Sequence, residues 1–164
     1  MNIIHLAQTK CKEWHAGQVR KYTGEPYHVH PFEVADILRS ISASDEVLAA
    51  AYLHDVVEDC NILEHDIEDL FGPRVAELVM MVTDVSKPED GNRATRKAID
   101  RDHLSKADAD GQTIKYADLI SNTKSIVKHD PNFAKVYLKE KSGLLGVMTK
   151  GDKELYARAC KIIN

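Results

Sequence analysis

Two ionisable dipeptides one helical turn apart, His54-Asp55 and Glu58-Asp59, make up the run His-Asp-Val-Val-Glu-Asp at the end of an apolar stretch. On a helix, i to i+4 spacing places Glu58 near His54 and Asp59 near Asp55, so four ionisable groups converge on one surface. Burying them unpaired would be costly, which argues for a ligand or for mutual pairing. An imidazole beside a carboxylate can hold a metal ion but supplies only two ligands, and the others must come from elsewhere in the chain. His30, in His-Pro-Phe ahead of a helix, and Asp118, flanked by Ala117 and Leu119 and at i+4 from Ile114, are the candidates. Two imidazoles and two carboxylates form a mixed nitrogen and oxygen site suited to Mn, Fe, Zn, Co or Ni. The bland reading is that His54 and Asp55 pair with each other or cap a helix, and for an isolated dipeptide solvent exposure accounts for most such cases.

The elements that must position these groups read as helices throughout. Apolar residues recur at helical spacing, Gly and Pro are sparse, and no run alternates over a strand's length, so the fold class is all-α. At 164 residues the chain has the size of one domain, and residues 1–164 are read as a single domain. A first helix is predicted over 2–16, followed by a loop over 17–30 with the turn chemistry of Lys21-Tyr-Thr-Gly-Glu-Pro26. Pro31 opens a second helix, and Ser44 caps a third that runs from about 45 to 58. Further helices are expected over 64–71, 73–85, up to about 107, 112–128, 131–148 and 152–163, with a loop at 86–92.

The formal charge of −4 gives no general electrostatic reason to bind nucleic acid or an anionic membrane, so an anionic substrate must be attracted locally. Cys11, Cys60 and Cys160 are odd in number, widely separated and free of CxxC spacing, which suits a reducing cytosol rather than a disulfide frame. The start, Met-Asn-Ile-Ile-His-Leu, turns polar too soon for a signal peptide, and no run approaches the about 18 apolar residues of a membrane span. A soluble cytoplasmic protein is expected.

The segment from His15 to Pro31, His-Ala-Gly-Gln-Val-Arg-Lys-Tyr-Thr-Gly-Glu-Pro-Tyr-His-Val-His-Pro, resembles the opening of the alarmone hydrolase domain of the RelA/SpoT homologues, which reads HxGQxRK, a GEPY turn, then HP. Ala50 to Asp59 is similar to that family's HD helix, Val75 to Thr83 to its next core helix, and Lys115-Tyr-Ala-Asp-Leu-Ile-Ser-Asn122 to its KLADxxxN helix. Four ordered blocks thus cover about residues 12–126, and the short chain resembles the stand-alone small alarmone hydrolases. The resemblance implies a single HD-domain helical bundle that hydrolyses ppGpp or pppGpp to pyrophosphate and GDP or GTP. It implies one divalent metal, usually manganese, on His30, His54, Asp55 and Asp118, with Glu58 and Asp59 catalytic. Arg20, Lys21 and Asn122 match nucleotide-contacting positions, and Arg93 and Lys97, with Arg96 beside them, fall where the small hydrolases carry basic residues. Outside the motif, Arg20 and Lys21 read as solvated charges, Asn122 as helix-surface polarity, and Arg93 and Lys97 equally as a solvated helix face. His15 is expected to support the ligand set or the loop.

Two departures bear on substrate preference: Cys60 replaces a usual threonine, and Lys124 stands where arginine is frequent. The partner is expected to be a small nucleotide, with no nucleic acid and no membrane. The rivals are an HD phosphohydrolase for another nucleotide, such as an adenosine alarmone or NADPH, and a non-catalytic module that binds an alarmone.

Overall fold

The computed structural model describes residues 2–164 and is all-α: among these residues no strand forms, and Val19 and Pro26 share one isolated antiparallel bridge. The chain divides into two compact units, one ending at Thr83 and the other beginning at Asp84. No helix among the described residues is long and apolar enough to cross a membrane.

The first unit holds α1 (Ile3–Trp14), α2 (Val29–Arg39), α3 (Asp45–Leu53), α4 (Val56–Cys60), α5 (Glu64–Phe71) and α6 (Pro73–Val82). Its centre is α3, in which every residue from Val47 to Leu53 is buried. A helix that is apolar all round must be enclosed, and α1, α2 and α6 enclose this one. Ser44 begins it as the sequence implies, accepting a bond from Val47 N.

Two boundaries differ from the sequence reading where it matters most. The helix expected over 45–58 ends at Leu53, and a separate short helix restarts at Val56, leaving His54 and Asp55 at the junction. There the Ala51 carbonyl accepts from both His54 N at 3.4 Å and His54 Nδ1 at 2.7 Å, a tightened turn that disrupts the helical ladder. Helix α4 then stops at Asn61, which takes a left-handed φ of 56°, a conformation asparagine tolerates. The loop expected over 17–30 is shorter, because α2 begins at Val29 and puts His30 and Pro31 in its first turn. Within that loop, bonds from Arg20 N to Glu25 O (2.8 Å) and from Tyr27 N to Gln18 O (2.9 Å) close a tight turn, with Gly24 at φ +73°.

The second unit holds a 3₁₀ turn (Pro88–Asp90), α7 (Arg93–Ser105), α8 (Ala109–His129), α9 (Pro131–Val147) and α10 (Lys153–Ile163). Helix α8 is its spine, packed by α9 and α10, while α7 lies against α9. Asn92, Asp108, Asp130 and Asp152 each cap a helix start with a side-chain oxygen. Fully buried Gln112 is satisfied on both ends: its amide nitrogen donates to the Leu104 and Ala107 carbonyls, and its oxygen accepts from Lys150 N at 2.8 Å.

Candidate metal centre

The first turn of α2 delivers His30, and the α3–α4 junction delivers His54 and Asp55. One ligand atom from each lies within 4.8 Å of the others. Asp55 Oδ2 is 3.1 Å from His54 Nε2 and 3.8 Å from His30 Nε2, and the two imidazole rings stand edge to face with centroids 5.1 Å apart. Both histidines are buried. Because a carbonyl only accepts, the His54 Nδ1 bond to the Ala51 carbonyl places a proton on Nδ1 and turns Nε2 toward Asp55, the edge that would be free to ligate a metal. Two imidazole nitrogens and a carboxylate oxygen are a donor set that fits a divalent cation.

The 17–28 turn supplies the supporting shell. Tyr27 donates its hydroxyl to Asp55 Oδ2 at 2.7 Å, and the Tyr27 ring leans on His15 with centroids 4.8 Å apart. His15 is itself buried, and its Nδ1 meets Gln18 Oε1 at 2.7 Å and Cys60 Sγ at 3.3 Å. Gln18 reaches on to the Asp59 carbonyl at 2.9 Å, which ties the turn to α4. Sequence reasoning gave His15 a supporting part but overlooked Tyr27. Its position in the Gly-Glu-Pro-Tyr turn carries no local signal, because Tyr27 precedes α2 and reaches Asp55 only when the turn folds back.

Glu58 and Asp59 are exposed on α4. Partial desolvation, reinforced by the negative charge of Asp55, pushes the Asp59 carboxyl above its ordinary value against the pull of His15, His54 and Tyr27. Arg20 sits over the Tyr27 ring at 5.9 Å, and Lys21 over the Tyr22 ring at 5.3 Å. The remaining sequence-predicted residues belong to the second unit. Asp118, buried on α8, receives Lys115 Nζ on one oxygen at 2.8 Å and Asn122 Nδ2 on the other at 3.0 Å. On α7, Arg93 forms an ion pair with Glu140 at 3.0 Å and lies over Phe133, and Lys97 lines a cleft. Arg96 holds its Nε buried without a hydrogen bond among the described residues.

This helical chain, with a His-His-Asp cluster that fits a divalent metal, belongs to the HD domain family, whose model matches residues 7–141. Among curated proteins it is 46% identical over 77 residues to a Vibrio cholerae protein named guanosine-3′,5′-bis(diphosphate) 3′-pyrophosphohydrolase, a match covering 47% of this chain and 11% of that one. It is 47% identical over 84 residues to the Escherichia coli bifunctional (p)ppGpp synthase/hydrolase SpoT, covering 51% of this chain and 12% of that one. The chain therefore spans only about a tenth of the length of the curated relatives it matches. Among solved structures, a metazoan ortholog of SpoT that hydrolyses ppGpp and plays a role in starvation responses superposes with a TM-score of 0.87 at 26% identity, over 99% of this chain and 94% of that one.

Proposed function

We propose that the chain is a divalent-metal-dependent hydrolase of guanosine 3′-diphosphate alarmones, converting ppGpp or pppGpp to pyrophosphate and GDP or GTP, and that residues 1–164 work as one HD-type domain. The observation that carries this reading is the His30–His54–Asp55 cluster, in a chain 46% identical over 77 residues to a relative named for this hydrolysis. The HD model's span over residues 7–141, which takes in both units, supports the single-domain reading.

His30, His54, Asp55 and Asp118 would hold the metal, manganese being the ion the resemblance implies. A divalent cation there supplies Lewis acidity toward a phosphoryl oxygen and makes water a stronger acid. The chain's own groups have separate tasks. Tyr27 holds the Asp55 carboxylate in one orientation, and the Ala51 carbonyl holds the His54 ring. Asp59, whose raised pKa favours the protonated form more than an ordinary carboxylate would, and Glu58 beside it are the groups able to orient water or protonate the leaving 3′ oxygen. Arg20, already stacked on Tyr27, presents a planar cation to guanine, with Lys21 next to it for phosphate. Asn122 offers hydrogen bonds to the nucleotide, and Arg93 and Lys97 offer positive charge to its phosphates.

The test is a substrate panel of ppGpp, an adenosine alarmone, NADPH and GTP in one manganese-containing buffer. Preferential cleavage of ppGpp is expected. Cleavage of another member with ppGpp untouched reassigns the substrate, and tight ppGpp binding with no product after long incubation reassigns the chain to a binding module.

A further inference from the structure

Charge is divided unevenly along the chain. From Asp84 onward sixteen Lys and Arg stand against twelve Asp and Glu, whereas the preceding residues carry six against fourteen. Within the basic unit, α7, α8 and α9 enclose a cleft lined by Lys97, Arg101, Lys115 and Lys141 above Leu104 and Leu144. Its carboxylates are Asp84, Asp100 and Glu140, and two of them are committed elsewhere. Asp100 accepts from Val85 N, Ser86 N and Ser86 Oγ, and Glu140 takes the Arg93 guanidinium. Lys115 is bound to Asp118. Lys97, Arg101 and Lys141 form no hydrogen bond or ion pair among the described residues, although Lys141 lies 5.3 Å over the Tyr137 ring.

We infer that this cleft is a binding site for a tetrahedral oxyanion, either inorganic phosphate or the phosphoryl end of a pyrophosphate, held by Lys97, Arg101 and Lys141. Three observations support it. Lys97, Arg101 and Leu104 recur at i, i+4 and i+7 on one face of α7, so two cations share the direction of the apolar floor. From α9, Lys141 and Leu144 approach at i and i+3, bringing a third cation to the same space. The cleft leaves about 60 Å³ for the centres of water-sized molecules, several times the roughly 10–15 Å³ that one water needs, and so has room for four oxygens around one phosphorus. Ammonium and guanidinium groups gathered in one cleft repel one another where Asp84, Asp100 and Glu140 do not offset them, and a bound oxyanion relieves that repulsion. The strain is visible at Lys141, whose pKa is lowered to about 8, first by burial and then by Lys115 and Lys97, against the weaker pull of Asp118 and Asp84. All of these groups lie in residues 84–164, and Lys97 is shared with the phosphate contacts of the proposed hydrolase, so the site deepens that reading; oxyanion binding in the absence of metal is what Arg101 and Lys141 add to it.

Calorimetric titration of the full chain with inorganic phosphate, and separately with pyrophosphate, tests the site. Saturable binding is expected, about tenfold or more weaker in Lys141→Met and in Arg101→Gln, because each removes a charged donor. Binding should be unchanged in Lys106→Gln, an exposed lysine paired with Asp102, and in His54→Ala, which disables the metal cluster. A preference between the two anions identifies the source of the phosphoryl group and supports the site either way. A readout free of substitutions is acetic anhydride labelling of the unaltered protein, in which phosphate should shield Lys141 and leave Lys106 reactive. No saturable binding, equal affinity in the Lys141 and Arg101 variants, loss in His54→Ala, or failure of phosphate to shield Lys141 each overturns the assignment.

Discussion

The Tyr27 hydroxyl donates a 2.7 Å hydrogen bond to Asp55 Oδ2, the oxygen that also faces His54 Nε2 at 3.1 Å. One aromatic side chain from the 17–28 turn thus sets the orientation of a carboxylate at the α3–α4 junction. Removing the hydroxyl alone, with Tyr27→Phe, should leave the helices intact and weaken Mn²⁺ affinity by about 10-fold or more, the usual cost of losing a partner behind a metal ligand. Titration of chelator-stripped protein with Mn²⁺ measures this, and an unchanged affinity removes Tyr27 from the supporting shell.

Asp118→Ala should abolish ppGpp turnover while far-UV circular dichroism stays close to that of the parent. The carboxylate is the shared partner of Lys115 and Asn122, so their positions loosen, but α8 keeps its backbone ladder and its caps. Full activity in this variant excludes Asp118 from the ligand set.

Stability should depend on Asp100 in a defined acid range. Burial alone would raise its pKa from the ordinary 3.8, but the Ser86 hydroxyl, the Ser86 and Val85 N–H groups and the Lys97 charge together bring it lower. A carboxyl with a depressed folded-state pKa contributes stability that is fully present above its unfolded value and is lost as pH falls through its folded value. Asp100→Asn should therefore be less stable than the parent in urea at pH 7, with the gap closing below about pH 4. A gap independent of pH would show that the carboxylate charge is not what holds residues 85 and 86.

Gly151 is required by close approach, not by backbone angle. A Cβ there would stand 2.5 Å from Tyr116 Cε2 and 2.8 Å from Thr113 Oγ1, side chains that also anchor the 148–152 segment through Met148 O and Asp152 N. Gly151→Ala should cost about 1–3 kcal/mol, as overpacking of a filled site does, and a thermal melt shows this as a lowered Tm. An unchanged Tm means that the segment can move aside.

Most helices were legible because apolar spacing and turn residues speak locally: Ser44 caps α3 as read, and the helices expected from 73 and 131 start there. The junction at His54 was not, since its cause is a side-chain nitrogen bonding the Ala51 carbonyl, and no periodicity reports that. His54-Asp55 was visible as a metal-binding dipeptide only through its motif. Its convergence with His30 depends on α2 packing against α3, a tertiary fact. Tyr27 was invisible for the same reason: a tyrosine in a turn is ordinary until the turn folds back over Asp55. The Lys141 cleft draws on three helices and has no local signature at all.

The most direct test of the hydrolase reading is ³¹P NMR of ppGpp incubated with the manganese-loaded protein. Loss of the 3′-diphosphate resonances is expected, with stoichiometric appearance of free pyrophosphate and GDP, abolished in His54→Ala. Release of orthophosphate instead, or an unchanged spectrum under conditions where the metal is bound, would contradict that reading.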